Sequence, residues 1–211
     1  EINLETHRVA LTVEVDSGSV VHFGELTIEG LERYSKNVVR NINPIKPDKV
    51  YNQTDLLTFQ TRLQESGYFK NVEVTADTQS ANHENNDAPI KVVVEENKRI
   101  KVGLGAGYST NTGARMQLTY DDLDFMNRDW RLASSLKIEQ KAQFLGGQIQ
   151  FPVTSKGYRD SMSADMNRTA FEGQTITLSQ VGTKRTWGPR KREQYLGANY
   201  LIEQQDVDGG E

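Results

Sequence analysis

The sequence predicts a small α+β module followed by an antiparallel β region of sandwich or barrel type, and three observations carry that reading. Between about residues 21 and 96, two segments of helical periodicity lie among strands. From Arg99 onward helical periodicity is gone, and short alternating segments recur between turn clusters. Those segments are apolar on one face and small, polar or charged on the other.

In chain order, Val9, Leu11, Val13 and Val15 alternate with Ala10, Thr12 and Glu14, which predicts a half-buried strand ended by Asp16-Ser17-Gly18-Ser19. A second strand is expected at Val21–Glu29, closed by Gly30. Ser35–Asn43 sets Val38, Val39 and Ile42 at helical spacing, and Pro44 and Pro47 stop that helix because proline lacks the amide that would continue it. Asn52-Gln53-Thr54-Asp55 offers capping side chains for a second helix carrying Leu56, Leu57, Phe59 and Leu63, with Gly67 beyond its last turn. Strands at Tyr68–Ala76 and Ile90–Glu96 complete the unit, and the polar stretch between them, including Asn82 to Asp87, is expected to be an exposed loop.

The β region opens with Ile100, Val102, Leu104, Ala106 and Tyr108 on one face against Lys101, Gly103, Gly105, Gly107 and Ser109 on the other. Further on, Met116, Leu118 and Tyr120 oppose Arg115, Gln117 and Thr119, and Trp130, Leu132, Leu136 and Ile138 oppose Arg131, Ser135, Lys137 and Glu139. Ile149 and Phe151 alternate with Gln148 and Gln150, and Met162, Ala164 and Met166 with Ser163, Asp165 and Asn167. The pattern weakens at Ile176–Arg185 and returns as Leu196, Ala198, Tyr200 and Ile202 against Gly197, Asn199 and Glu203. Two folds fit this alternation: a soluble sheet with one wet face, and the wall of a membrane barrel with a polar interior. Soluble sheets are far the commoner of the two; aromatic residues near strand ends (Tyr108, Tyr120, Trp130, Phe151) and connections that alternate between very short and longer pull toward the barrel, and neither decides the matter alone.

Composition removes several function classes. The 25 basic and 29 acidic residues give a net charge of −4, no electrostatic footprint for nucleic acid. With no cysteine there is neither disulfide framework nor thiolate metal site. No apolar run reaches the length of a membrane helix, but barrel strands need only about 9–11 residues. Gly103-Leu104-Gly105-Ala106-Gly107 lies in an alternating strand with no helix behind it, so it is not a phosphate loop. Asp121, Asp122 and Asp124 lack calcium-loop spacing and are expected in a solvated hairpin turn; Arg190-Lys191-Arg192 beside Trp187 reads as a turn within reach of lipid headgroups. His7, His22 and His83 are scattered, and neither a catalytic residue nor a cofactor or metal is expected.

The order strand, helix, helix, strand, strand over residues 21–96, with Glu65-Ser66-Gly67-Tyr68-Phe69 closing the second helix, resembles a POTRA domain. Val102 to Thr110 followed by Gly113-Ala114-Arg115 is similar to the first barrel strand and hairpin of the TamA family, the outer-membrane subunits of translocation and assembly modules, and Val20-Val21-His22-Phe23-Gly24 looks like that family's junction into its last POTRA domain. The resemblance, shared at the superfamily level with BamA, implies a POTRA domain followed by the N-terminal strands of an antiparallel transmembrane β-barrel. It divides the chain into residues 1–16 (last strand of a preceding POTRA domain), 17–97 (POTRA) and 98–211 (the first roughly seven strands of a truncated outer-membrane barrel).

The resemblance also implies a non-enzymatic factor of the Gram-negative outer membrane that guides unfolded β-barrel or autotransporter substrates into the lipid, with POTRA in the periplasm. A TamB-like, inner-membrane-anchored partner would bind through POTRA domains outside this chain. The strand Lys101, Val102, Gly103, Leu104, Gly105, Ala106, Gly107, Tyr108 and Ser109 is then expected to be one side of a lateral gate, its glycines weakening packing against the lumen. Glycines that merely relieve crowding are the alternative. Leu104, Leu118, Leu132, Leu136, Ile149 and Ile202 are expected to face outer-membrane lipid, and Lys101, Arg115, Lys137, Gln148 and Asp165 the lumen. A two-partner-secretion exporter, and BamA itself, are the alternatives for function.

Overall fold

A computed structural model of the chain describes residues 2–3, 8–9, 20–78, 86–110, 113–171, 173–188 and 192–207. Ile2–Asn3 (β1) and Arg8–Val9 (β2) pair antiparallel. The rest of the strand expected up to Val15, and most of the loop expected over Asn82–Asp87, lie outside the described residues.

The α+β unit runs β3 (His22–Glu29), α1 (Lys36–Ile42), α2 (Gln53–Glu65), β4 (Phe69–Ala76) and β5 (Asp87–Glu96). Its three-stranded sheet has β5 in the centre, parallel to β3 and antiparallel to β4. One face of β5, Ala88, Ile90, Val92 and Val94, is buried while the intervening residues are not, the mark of a sheet covered on one side. Both helices supply the cover. In α2 the Asn52 side chain accepts from the Thr54 amide at 2.8 Å and Asp55 stands in the first turn, so capping and the helix dipole both favour the start where it occurs. Leu56, Phe59 and Leu63, spaced three and four apart, fall on one face and are buried. Helix α1 ends at Asn43, which is extended as the residue before Pro44 must tend to be.

Seven strands follow: β6 (Ile100–Ser109), β7 (Gly113–Phe125), β8 (Trp130–Glu139), β9 (Ala142–Gln150), β10 (Arg159–Phe171), β11 (Gln174–Trp187) and β12 (Gln194–Val207). They form one antiparallel meander in sequence order. The sheet is open, β6 and β12 each having a single partner strand among the described residues. Connections at the far end span only residues 110–112, 140–141 and 172–173, whereas those on the side of the α+β unit span 126–129, 151–158 and 188–193. Leu123, near the end of β7 before the first of these longer connections, joins the core of the α+β unit, and Val153, within the second, packs against it.

Leu123 gets there through an irregularity in register between Asp122 and Phe125. This corrects the expectation of a solvated acidic turn. Asp122 and Asp124 lie in β7 and are buried, the turn proper being residues 126–129. Asp122 accepts from Arg99 Nε at 3.0 Å and Nη2 at 3.3 Å, and Asp124 accepts from the Asp129 amide at 2.9 Å. Burial is tolerable because each carboxylate has a donor within the protein.

Candidate functional site

Register across the meander decides which side chains share a face. Leu104, Leu118, Leu136, Leu145, Met166, Ser179 and Ile202 are successive cross-strand partners and form one transverse row. Two rows nearer the α+β unit, Ile100, Asp122, Leu132, Ile149, Met162, Thr183 and Ala198 form another on the same face. The six positions expected to meet lipid therefore share one side, and Lys101, Arg115, Lys137, Gln148 and Asp165 all stand on the other. On the apolar side Leu104 is 83% exposed, Ile202 50% and Leu118 39%, while Leu132, Leu136 and Ile149 are half-buried. Leu123 is the one buried apolar side chain of the seven strands among the described residues.

The opposite face is not uniformly polar. Ile176, Leu178 and Leu201 share it with Phe144, whose ring lies 5.6 Å from Lys137 Nζ. Ile176 and Leu178 are the residues that blurred the alternation in the sequence. Toward the α+β unit, Arg131, Gln148, Gln150, Ser161 and Lys184 of this face line a cavity of about 690 Å³.

Strand β6 is an edge, paired to β7 from Ile100 opposite Asp122 to Ser109 opposite Gly113. Its glycines differ from one another. A Cβ on Gly103 would lie 2.5 Å from Thr119 Oγ1, and one on Gly107 2.8 Å from Arg115 Nε. At Gly105 the nearest atom would be an ordinary 3.7 Å away. Gly103 and Gly107 thus make room for β7 side chains that lean across β6, whereas Gly105 meets Gln117 only at the distance a Cβ would tolerate. Sequence alternation placed the glycines on one face but carried no information on what would fill the space beside them.

Comparison with known proteins rests on this layout. Residues 21–97 match the POTRA family, described as a surface antigen variable number repeat. These residues form a POTRA domain. The whole chain superposes on BamA from Haemophilus ducreyi lacking POTRA domains 1–3 with a TM-score of 0.74 and 15% identity, over 100% of this chain and 41% of that one. CdiB from Acinetobacter baumannii gives a TM-score of 0.60 and 10% identity, over 90% of this chain and 39% of that one. The chain thus spans less than half the length of each of these two structures. At these identities the likeness is one of fold: a POTRA domain followed by antiparallel strands laid out as in the BamA barrel.

Proposed function

We propose that the seven strands are part of the wall of an outer-membrane barrel whose work is to insert or export β-proteins, with the POTRA domain in the periplasm of a Gram-negative cell and no bond made or broken. The observation that carries this is an apolar face on which, among the described residues, no apolar side chain is fully buried. A soluble sheet of seven strands would bury such a face against a second layer, whereas a bilayer covers it directly and leaves the polar face for a lumen. The TamA-type motif at Val102–Thr110 narrows the proposal to a translocation and assembly module acting on barrel or autotransporter substrates, reached by a TamB-like partner through domains outside this chain.

In this reading β6 is one side of a lateral gate. Its main chain has no second partner strand among the described residues, so an incoming strand can pair with it by backbone hydrogen bonds. Single cysteines at Lys101 and Gly105, and at Gly103 in a Thr119→Ala background that makes room for its Cβ, in the full-length protein should capture a cysteine in a substrate's terminal strand during assembly. Capture at the outward control Leu136, with none along β6, eliminates the gate. A two-partner-secretion exporter would instead thread its substrate along the polar face, and capture at Gln148 and Ser161 in place of β6 would favour that reading.

A further inference from the structure

The end of α2 meets the β7–β8 hairpin at several points that capping a helix does not require. The cap is complete within the POTRA domain: the Gly67 amide donates to Gln64 O at 3.3 Å, the Ser66 amide to Arg62 O at 3.0 Å, and Gly67 takes the positive φ of 78° that lets the chain leave the helix. Yet Arg131, the second residue of β8, donates from Nη1 to Ser66 O at 2.6 Å, and its guanidinium lies 5.7 Å over the Tyr68 ring. Tyr68 Oη in turn donates to Asp129 O, in the turn before β8, at 2.7 Å. Gly67 sits so close that a Cβ there would come within 3.0 Å of the same guanidinium.

The chemistry suits the place. The last carbonyls of a helix lack intrahelical donors and carry the negative end of its dipole, so a cation that also donates hydrogen bonds is favoured there. Stacking on Tyr68 adds attraction between the cation and the ring. The covalent link into β6 is tied down separately, because Arg99 is held to β7 by Asp122 and by the Leu123 amide, which donates to Arg99 O at 2.9 Å.

We propose that Ser66-Gly67-Tyr68 and Arg131 form a docking latch, which sets the orientation of the POTRA domain under the barrel through the β7–β8 hairpin instead of through the peptide link into β6. Domains joined by a short linker move relative to one another by default unless an interface holds them. With the latch on the turn of that hairpin and on β8, the first strand, which the proposed function makes the gate, can change its partner while the POTRA domain keeps its place.

The test uses the full-length protein in lipid nanodiscs, cysteine-free apart from spin labels at Thr61 in α2 and Gln140 in the β8–β9 turn. Pulsed electron–electron distance measurements should give one narrow distribution for the parent. Tyr68→Phe and Arg131→Met should each broaden it, and together they should at least double its width. Arg128→Met, which removes a guanidinium from the same turn outside the latch, should leave it unchanged. Heat modifiability of the barrel and circular dichroism report whether each variant is folded. If Tyr68→Phe does not fold, Arg131→Met decides alone, since that side chain belongs to the barrel. A double variant, or in that case Arg131→Met, whose distribution superimposes on the parent overturns the latch, as does equal broadening by Arg128→Met.

Discussion

Tyr34 shows what a single buried hydroxyl does in the POTRA core. Its ring packs edge-on to Tyr68 at 4.9 Å, but Tyr34 Oη is buried with no hydrogen-bonding partner among the described residues. Burial pushes its ionisation up to about 12, which Arg33 partly offsets and Glu96 reinforces. A raised folded value means the stabilisation is complete below the ordinary tyrosine value near 10 and is lost as pH climbs toward about 12. Tyr34→Phe should therefore blunt alkaline unfolding in that window, followed by circular dichroism. At neutral pH it should be neutral or stabilising by about 1 kcal/mol, because an unpaired buried hydroxyl is removed. In β6, Gly103→Ala forces a Cβ against Thr119 and should cost about 1–3 kcal/mol of barrel stability by urea titration in bilayers. Gly105→Ala should be tolerated, and Thr119→Ala should rescue Gly103→Ala; equal sensitivity of the two glycines would refute the distinction.

Among the elements, the segment between β3 and α1 depends on the end of β5. One Glu96 oxygen accepts from the amides of Glu32 at 3.0 Å, Arg33 at 2.9 Å and Tyr34 at 3.1 Å, while the other meets Arg33 Nε at 3.2 Å. Burial alone would raise this carboxyl, but the amides and Arg33 together hold it below the usual glutamate range. A depressed value stabilises the fold above the unfolded glutamate pKa of about 4.3 and loses that contribution as pH falls through the folded one. Glu96→Gln should cost about 2 kcal/mol at pH 7 and flatten the acid limb of the stability profile, read by denaturant unfolding between neutral and acid pH. In β8 the two faces make opposite demands. Leu136→Arg places a charge on the apolar side and should lose about 2–4 kcal/mol if that position lies near the bilayer midplane, whereas Lys137→Leu should assemble nearly as the parent does. Heat-modifiable mobility of the membrane fraction distinguishes them, and equal assembly would reverse the assigned faces.

At the scale of the whole molecule, two halves are stabilised by different surroundings. The POTRA domain has its own core, to which β7 adds Leu123 and the β9–β10 connection adds Val153 packed against it. Residues 20–98 expressed alone should unfold cooperatively, at a lower temperature than the same domain in the longer chain, because the two apolar contributions are missing. Non-cooperative melting of that segment would mean the domain needs the barrel to fold. Among the described residues the seven strands fully bury no apolar side chain but Leu123, so their stability rests on backbone pairing, on half-buried contacts and on whatever covers the outer face. Two edges without a second partner strand among the described residues should make detergent-free samples of the 211-residue chain associate, a property light scattering measures directly.

The sequence by itself determined the elements and the faces. Capping at Asn52, the proline after Asn43 and the spacing of Leu56, Phe59 and Leu63 are local signals, and period-two alternation assigned Leu104 and Lys101 to opposite sides of one strand. Tertiary structure alone decided what those faces and ends meet. Asp122 reads as a turn carboxylate until Arg99, 23 residues away in sequence, is seen to pair with it. Ser66-Gly67-Tyr68 reads as a helix cap until Arg131 is found on it. Whether an apolar face is bare or covered also depends on which distant strands pair with it and which do not. Propensity and periodicity act over a few residues, whereas such contacts depend on the register of strands far apart in the chain, and no local pattern records that register.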